Sequence, residues 1–343
     1  MNTLLSIDIG SKNMHIAEGG FQKGQLSLRH SHSFPLPKGC VTEESIKDEQ
    51  QLADAIISSV KAGKFHTKNV VLTVNAIHTV VRELDFPQAK PKELDSMIKN
   101  EMVQTFHIMK DDIIQYKEIG TTLDSDGETL KRYRVAAIDQ SIVEAYYNVL
   151  DRAKLKAVAM DLNINAIDKL FSWTDSLNER PYGNDAVMLL DFGQSSTTVY
   201  IFSKDQPMFY RHLNIGSGEM DSILLDTTQQ QIGDAREIKE TVNFFDGSED
   251  VSQYYTALQP LFYRLNSEIR KIVTFYHERA RSSNIGYTYL FGQGSELLGL
   301  PEYWSGNLNL SVEKIRSLGK ASKAIKVDPA HFNAIAALIR IEK

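Results

Sequence analysis

The chain has 343 residues, 42% of them hydrophobic and 24% charged, so it can bury a large core and form more than one compact unit. Its net charge of −6 excludes the basic excess typical of proteins that bind nucleic acid or anionic lipid. No segment reaches the roughly 18 consecutive apolar residues of a membrane span, and the lone Cys40, expected in an exposed loop, excludes an internal disulfide or multi-cysteine metal site. The sequence therefore indicates a cytoplasmic globular protein that neither enters a membrane nor binds nucleic acid.

The predicted elements begin with strands that are joined by polar turns. LLSIDIGSKN is an apolar run that leads into Asp8-Ile9-Gly10-Ser11, and two further strands follow it. SIKDEQQLADAIISSVKAGKF has apolar residues at helical spacing and predicts a helix. NVVLTVN and HTVVRELDFP are rich in β-branched residues and predict two more strands. The chain therefore begins as a sheet with a helix on one side.

The pattern then changes over residues 84–157. Pro91 opens a predicted helix, IIQYKEIGTTL and LKRYRVAAI around the turn DSDGE predict a β-hairpin, and a second helix follows with Asp139 or Ser141 as its N-cap. We interpret this segment as a small α+β unit inserted into a first domain of residues 1–178. KAVAMDLNINAIDKLFSWT then predicts a strand that runs into a helix.

The second half, residues 179–343, repeats the opening turn. VMLLDFGQSST places Asp191-Phe192-Gly193 after an apolar run, and two strands follow as before. GEMDSILLDTTQQQIGDAREIKETVNFF and LQPLFYRLNSEIRKIVTFYHERARSS predict helices, and IGYTYLFGQGS predicts a strand that ends in a glycine-rich turn. The final PAHFNAIAALIRIEK predicts a packed helix whose apolar stripe consists of Ile335, Leu338, Ile339 and Ile341.

The two Asp-x-Gly turns carry the chemistry of this sequence. A strand that ends in Asp-x-Gly before small hydroxyl residues presents backbone N–H groups with little bulk, which suits a phosphate. The carboxylate repels a phosphate unless Mg²⁺ lies between them, so a facing pair, Asp8 and Asp191, implies a metal-nucleotide. Either turn alone would be read as a capped β-turn, but the repetition favours a shared ligand site.

Two further glycine-rich turns lie where they could complete such a site. Gly292-Gln293-Gly294-Ser295 follows an apolar strand and precedes a helix, where backbone can lie against a flat ring or a phosphate. The alternative is a helix-entry turn without a ligand. Gly216-Ser217-Gly218 opens another helix and could approach a terminal phosphate.

The arrangement resembles the actin-like ATPase superfamily, which implies an α/β fold of duplicated, ribonuclease H-like domains that bind ATP with Mg²⁺. The resemblance covers nearly the whole chain. It implies that Glu237 and Lys239 contact the nucleoside, although Arg236 stands where relatives carry Glu. The implied ATP-binding residues are Asp8, Gly10, Ser11 and Lys12 in the first phosphate loop; Asp191, Gly193, Gln194, Ser195, Ser196 and Thr197 in the second; Gly216, Ser217 and Gly218; and Gly292, Gln293, Gly294 and Ser295 in the adenosine loop, with Asp8 and Asp191 holding Mg²⁺ through water.

The inserted unit narrows the resemblance to FtsA and to the PilM family of type IV pilus assembly. LDFPQAKPKELDSMIKNEMVQTFHIMKDDIIQYKEI is similar to the PilM pattern, and the chain is shorter than FtsA proteins, which end in a membrane helix. The sequence departs from the family at His15, commonly Lys, at His107, commonly Pro, and at Gln293, commonly Gly.

This resemblance implies a scaffold that docks the N-terminal cytoplasmic segment of a PilN-like inner-membrane protein, with ATP as a structural or switching ligand. The scaffold would then lie at the inner face of the membrane through its partner, and contacts with pilus assembly ATPases and self-association are left open. Leu94, Ile98 and Phe106 are candidate groove residues; the alternative is that they form the core of the inserted unit. We expect weak or no ATP hydrolysis.

Hydrolysis would need a group that orients or deprotonates water. Asp161, at the end of KAVAMD, is the candidate; the alternative is a polar strand-end residue or an indirect contact to the metal. Two other functions remain: an FtsA-like filament protein that binds membranes, and an actin-like kinase, for which the sequence offers no clear acceptor site.

Overall fold

The computed structural model describes residues 3–42, 45–74, 79–204, 206–228, 232–280, 284–320 and 323–340. Strands and helices alternate through the first half of the chain. In chain order its elements are β1 (Leu4–Ile9), β2 (Asn13–Gln22), β3 (Gln25–Pro35), α1 (Glu49–Ala62), β4 (Asn69–Val74), β5 (Thr79–Phe86), α2 (Pro91–Phe106), β6 (Ile113–Leu123), β7 (Thr129–Ile138), α3 (Gln140–Arg152), β8 (Lys156–Leu162) and α4 (Asn163–Trp173).

The rest of the chain begins with two very short strands and contains the longest described helix, α7. Its elements are β9 (Ser176–Leu177), β10 (Arg180–Pro181), β11 (Ala186–Phe192), β12 (Thr197–Ser203), β13 (Gln206–Leu213), α5 (Glu219–Thr228), α6 (Ile232–Thr241), α7 (Ser252–Ala280), β14 (Ile285–Phe291), α8 (Leu300–Leu308), β15 (Val312–Lys314), β16 (Ser317–Lys320), β17 (Lys323–Lys326) and α9 (Phe332–Ala337).

Several helices begin where the sequence supplies a cap. The Asp48 carboxylate accepts a hydrogen bond from the Gln51 N–H at the start of α1. Asp139 does the same for the Ser141 N–H at the start of α3, which decides between the two predicted caps. Pro91 occupies the first turn of α2, where its missing N–H costs nothing.

Two five-stranded sheets have the same topology. Their strand orders are β3-β2-β1-β4-β8 and β13-β12-β11-β14-β15. In each, the first three strands form an antiparallel meander, and two later strands add in parallel on the other side of the first. The repeated Asp-x-Gly turn therefore reflects a repeated sheet, with β1 and β11 in equivalent central places.

The two sheets share one apolar core around α4 and α9. It joins residues of β1, β2 and β4 to residues of β11, β12 and β14. Small side chains, Ala334, Ala336 and Ala337, allow α9 to pack closely against α4. On their outer faces, the first sheet is covered by α1 and α3, and the second by α5, α7 and α8.

The segment between β4 and β8 carries its own small sheet, of order β5-β7-β6, in which β6 and β7 form the predicted hairpin. Helix α2 packs across this sheet, mainly on β7. β5 lies within the predicted strand HTVVRELDFP, but it pairs with β7 in this small sheet, whereas the inserted unit was predicted to begin only at Leu84. Helix α3 packs on α1 and contributes Val149 and Leu150 to the core of the first sheet.

The last helix is confirmed but shorter than predicted. Ile335, Leu338 and Ile339 are buried in the shared core, whereas Ile341 lies outside the described residues. The prediction that Cys40 is exposed was wrong: its side chain is 1% exposed and packs in the core of the first sheet. Among the described helices, none combines the length and the hydropathy needed to cross a bilayer.

Candidate functional site

The two Asp-x-Gly turns form hairpins with the same backbone geometry. The Gly10 N–H donates to the Asn13 carbonyl at 2.9 Å, and the Gly193 N–H donates to the Ser196 carbonyl at 2.9 Å. A Cβ atom on Gly10 would lie 2.9 Å from the Asn13 oxygen, and one on Gly193 would lie 3.1 Å from the Ser196 oxygen. Both turns therefore favour glycine because the following backbone approaches so closely. Ser11 and Lys12 form the tip of the first hairpin, and Gln194 and Ser195 that of the second.

The carboxylates at the ends of β1 and β11 lie in one polar cluster. Asp8 accepts a hydrogen bond from the Thr73 hydroxyl at 2.7 Å, and Asp191 accepts one from the Asn333 amide at 2.9 Å. Burial raises the pKa of Asp8 to about 6, although hydrogen bonds from Thr73, Asn163 and Asn333 act against this rise. Burial also raises the pKa of Asp191 to about 7; Asn333 opposes that rise and the charge of Asp8 adds to it. The two halves thus place two mutually repelling carboxyl groups together.

This cluster has the oxygen donors that a hard cation prefers. The side-chain oxygens of Asn163 and Asn333 are buried and have no hydrogen-bond partner among the residues that the structure describes. Carboxylate and amide oxygens suit Mg²⁺, which usually keeps several waters and takes its other ligands from phosphates. Within the described residues no group of three His, Cys, Asp or Glu side chains could hold a metal by itself. The residues therefore fit a magnesium ion that is shared with a bound phosphate, with Asp8 and Asp191 on the protein side.

Asp221, on α5, connects both hairpins. Its carboxylate accepts hydrogen bonds from the Lys12 ammonium at 2.5 Å and from the Gln194 amide at 3.1 Å. It also accepts one from Lys239 on α6 at 2.6 Å. Lys239 donates in addition to the Ser217 carbonyl at 3.0 Å. One carboxylate thus links the first hairpin, the second hairpin and α6.

The turn Gly216-Ser217-Gly218 lies directly against the second hairpin. The Ser217 N–H donates to the Gly193 carbonyl at 2.9 Å, and the Gly218 N–H donates to the Gln194 carbonyl at 2.6 Å. A Cβ atom on Gly216 would lie 2.4 Å from the Gln194 oxygen. These two N–H groups are therefore engaged by protein carbonyls, and the turn supports the hairpin.

Thr197 ties the start of β12 to the segment that leads into this turn. Its hydroxyl donates to the Ile215 carbonyl at 2.6 Å, and the side chain is fully buried. Because Thr197 follows the tip of the second hairpin directly, the bond adds a further contact between this hairpin and the segment that supports it.

The turn Gly292-Gln293-Gly294-Ser295 lies behind Asp191. Gly292 has φ of 86°, and a Cβ atom there would lie 2.4 Å from an Asp191 carboxylate oxygen. A Cβ atom on Gly294 would lie 2.5 Å from the Phe192 ring. The buried Ser295 hydroxyl donates to the Gly292 carbonyl at 2.6 Å, and Gln293 is half-buried. The structure therefore brings this turn beside the second hairpin and explains both glycines by contacts within the chain.

The two predicted nucleoside contacts on α6, Glu237 and Lys239, have different surroundings. Lys239 turns toward Asp221, whereas Glu237 is exposed on the same helix. The side chain of Arg236 lies outside the described residues.

His15, one of the predicted departures from the family pattern, is linked to His331 through the hydroxyl of Ser33. The His15 Nδ1 atom and the His331 Nε2 atom both lie 2.8 Å from the Ser33 hydroxyl. The His331 Nδ1 atom lies 2.8 Å from the Ser31 hydroxyl. Burial lowers the pKa of both histidines to about 4, so neither is charged at neutral pH. His15 is aligned with Asp8 across β1 and β2 but adds no positive charge there.

Asp161 is enclosed in an ion-pair network. Its carboxylate pairs with Lys169 on α4 and with Arg340 at 3.1 Å, and it accepts a hydrogen bond from Asn165 at 2.5 Å. The residue is 4% exposed. A carboxylate that three donors hold is poorly placed to deprotonate water, so the geometry does not support the predicted catalytic role and favours the alternative of a structural strand-end residue.

The predicted partner residues lie mostly inside the inserted unit. Leu94 and Ile98 are 7% and 1% exposed and pack in its core. Phe106 is half-buried, with the Arg82 guanidinium 4.9 Å from its ring centroid. This arrangement agrees with the alternative that the stripe forms the core of the unit.

A pocket of about 390 Å³ that sequence reasoning missed lies between β6, α4 and the start of the second sheet. Stacked rings of Tyr182, Phe171 and Phe202 line it. Lys117 and Asp168 form an ion pair on its wall. β6 is an edge strand of the small sheet, so one side of its backbone is not paired within that sheet. The pocket therefore combines a strand edge with an aromatic wall.

Arg134 joins the elements around this pocket. Its guanidinium donates to the Met208 carbonyl on β13 at 2.8 Å and lies 3.4 Å from Asp168 on α4. It also lies 3.5 Å from Glu83 on β5. The buried arginine thus connects the small sheet with both halves of the chain.

Comparison with known proteins decides among the families that share this architecture. A family model for the type IV pilus assembly protein PilM matches residues 6–337. The chain belongs to the PilM family. The match spans both five-stranded sheets and the inserted unit of this PilM-family chain.

Solved structures with the same fold agree. A PilM–PilN type IV pilus biogenesis complex is similar with a TM-score of 0.79 and 22% identity, over 98% of this chain and 97% of that one. EutJ, an ethanolamine utilization protein of Carboxydothermus hydrogenoformans, gives 0.59 and 11%, over 99% and 90%. MreB5 of Spiroplasma citri bound to ADP gives 0.54 and 9%, over 98% and 94%. The predicted duplicated actin-like fold is confirmed.

Proposed function

We propose that this PilM-family protein is a scaffold of type IV pilus assembly that binds ATP with Mg²⁺ between its two halves, with the nucleotide as a structural or switching ligand. The observation that carries the proposal is the pair of matching hairpins with Asp8 and Asp191 in one cluster. Mg²⁺ would neutralise the phosphates beside these carboxylates. The hairpin tips would face the phosphates, and the turn beginning at Gly292 would face the nucleoside.

We also propose that hydrolysis is weak or absent, because the candidate base Asp161 is engaged in ion pairs. Asp161 is held by Lys169 and Arg340, so the described site offers no evident base at that position. The ligand would then act by stabilising one arrangement of the two halves over another, because it shifts a conformational equilibrium only by binding one state better.

Calorimetric titration of ATP with Mg²⁺ tests this proposal. We expect saturable binding by the wild type and binding weaker by about a hundredfold or more in an Asp8→Ala, Asp191→Ala double variant, because the metal loses both protein carboxylates. An Asp126→Ala variant, changed in the exposed turn of the β6–β7 hairpin, is the control and should bind as the wild type does. A folded wild type that does not bind ATP would contradict the nucleotide proposal.

We also propose that the N-terminal cytoplasmic segment of a PilN-like inner-membrane protein docks in the pocket between β6 and α4, which would hold the chain at the inner face of the membrane. An extended segment can add to an edge strand through backbone hydrogen bonds, while apolar side chains enter the neighbouring pocket. The edge of β6 beside Phe171, Tyr182 and Phe202 suits such a segment.

Fluorescence anisotropy with a labelled peptide of that segment tests the docking proposal. Ile119 lines the pocket on β6, so Ile119→Glu should weaken peptide binding by about tenfold or more, since it places a charge against the apolar anchor. Leu123, exposed at the far end of the same strand, gives the matched control Leu123→Glu, which should bind normally. Equal affinities for the two variants would place the partner elsewhere.

The contacts also suggest domain limits. We propose that the inserted unit comprises the sheet of residues 79–138 with α2, within a first domain of residues 1–178, and that α3 belongs to the first domain because it packs on α1. Residues 179–343 form the second domain in this division.

A further inference from the structure

The carboxylate of Asp221 accepts hydrogen bonds from two lysines, Lys12 and Lys239. Lys12, at the tip of the first hairpin, has a side chain that is 54% exposed, yet its ammonium reaches across to Asp221. Lys239 approaches the same carboxylate from α6 and is largely buried. The contact therefore connects the first half of the chain with the second at the level of the proposed phosphate site.

Asp221 is a carboxylate at neutral pH. Burial alone would raise its pKa, but hydrogen bonds and charge from Lys12 and Lys239 outweigh burial and hold the pKa of Asp221 below its usual value. The two ammonium groups and one carboxylate leave a net positive cluster. This cluster attracts phosphate, but the negative charge of Asp221 weakens the attraction.

Because His15 stands where a lysine is expected, Lys12 becomes more important for binding a phosphate at the first hairpin. His15 is neutral and hydrogen-bonded to Ser33, so it cannot neutralise a phosphate beside Asp8. Lys12 is the cation that the first hairpin itself carries. A phosphate that approaches this hairpin must therefore compete with Asp221 for Lys12.

We infer that Asp221 is an internal competitor for phosphate, a latch that holds Lys12 across the two halves until the phosphates of a bound nucleotide displace it. The inference rests on the proposed nucleotide function and adds a means of regulating it. Both the phosphate and Asp221 offer anionic oxygens to the same ammonium, and because these anions repel each other, a phosphate at the hairpin tip draws Lys12 away from Asp221. Release of Lys12 uncouples the first hairpin from α5, so ligand binding and the contact between halves oppose each other.

Isothermal titration with ATP and Mg²⁺ tests the latch. Asp221→Asn keeps the shape and removes the charge, and it should bind ATP about tenfold tighter, since one charge-assisted hydrogen bond no longer has to be broken. Asp226→Asn, changed at an exposed carboxylate on the same helix, should match the wild type. Lys12→Met should bind more weakly, and Lys12→Met with Asp221→Asn should lose most of the tenfold gain. A folded Asp221→Asn protein that binds ATP equally or less well would overturn the inference.

A readout without nucleotide separates the latch from the proposed function. The thermal midpoints of the wild type, Lys12→Met, Asp221→Asn and the double variant form a mutant cycle. Non-additive losses support the contact between Lys12 and Asp221, and additive ones overturn it. If no variant binds ATP, the nucleotide proposal and the competition both fail, and the cycle alone reports whether the contact couples the two halves.

Discussion

Ionisation of Asp8 in the folded protein costs free energy, and a nearby positive charge would offset that cost. Asp8 is buried beside Asp191, and its raised pKa means that ionisation opposes folding. Below its unfolded pKa, near 3.8, the residue imposes no such cost. As pH rises toward its folded pKa of about 6, the native state binds more protons than the unfolded state, so the unfolding free energy falls across this window. A divalent cation reverses this cost because it favours the ionised form.

We therefore expect Asp8→Asn to stabilise the metal-free protein at pH 8. The difference between pKa values of 3.8 and about 6 corresponds to up to about 3 kcal/mol of unfolding free energy. The gain should disappear as pH falls from 6 toward 4, where the wild-type carboxyl group is protonated. Urea unfolding at pH 8 and pH 4 in EDTA measures both effects. A variant that is less stable than the wild type at pH 8 would show that Asp8 is stabilised as an anion without metal.

Asp161 is a second buried carboxylate, but its partners are cations. Asp161→Asn leaves Lys169 and Arg340 without their counter-charge, and Lys169 is largely buried. We expect the unfolding free energy to fall by about 3 kcal/mol, the usual loss when one partner of a buried ion pair is removed.

Any ATP turnover by the folded Asp161→Asn protein should equal that of the wild type, because the network is structural. Urea unfolding and a phosphate-release assay on the same preparation give the two values. Loss of turnover at unchanged stability would restore the catalytic interpretation.

At the scale of elements, the glycine turns predicted from sequence depend on contacts that a sequence does not display. Gly216→Ala places a Cβ atom 2.4 Å from the Gln194 oxygen, so either the turn or the second hairpin must move. We expect a loss of about 1–3 kcal/mol in unfolding free energy, the usual cost of overpacking. Gly306→Ala is the matched control: no atom lies within 4 Å of its added Cβ, and it sits in α8. The control should be neutral or more stable by about 0.5–1 kcal/mol. Equal thermal midpoints would contradict the proposed support of the hairpin by this turn.

Strong periodicity and a clear cap made most elements predictable. The apolar stripe of α7, from Leu258 to Tyr276, is buried as its spacing predicts. β15, β16 and β17 were missed, since VEKIRSLGKASKAIKV mixes lysines with short apolar stretches and gives weak alternation. These strands depend on pairing with distant segments, such as β9 and β14, rather than on local preference.

The repeated hairpins were predictable because each carries its signature in a few adjacent residues. The groups that complete the cluster were not. Thr73, Asn163 and Asn333 come from a strand and two helices far apart in the chain, and nothing next to them marks a site. Asp221 was hidden within a predicted helix for the same reason. Sequence reasoning thus found the loops and missed the side chains that fold around them.

At the scale of the whole molecule, the two halves are joined in different ways at different places. α4 and α9 pack together in the shared apolar core, whose burial resists separation. Lys12 and Asp221 are joined by a partly exposed ion pair, which solvent and salt weaken. Relative movement of the halves should therefore pivot near α4 and α9 and change most at the hairpins.

The hydrogen bond from Arg134 to Met208 is a second place where movement of the two halves would be felt. Arg134 belongs to the small sheet that forms one wall of the pocket, and Met208 belongs to the second half. A peptide held in the pocket and a nucleotide held at the hairpins would both favour particular positions of the same two bodies. By thermodynamic reciprocity, whatever factor the nucleotide applies to peptide affinity, the peptide applies to nucleotide affinity. A membrane partner that binds this protein would then also change its affinity for ATP. The fraction of the protein that holds ATP would therefore depend on assembly with the partner as well as on the ATP concentration in the cell.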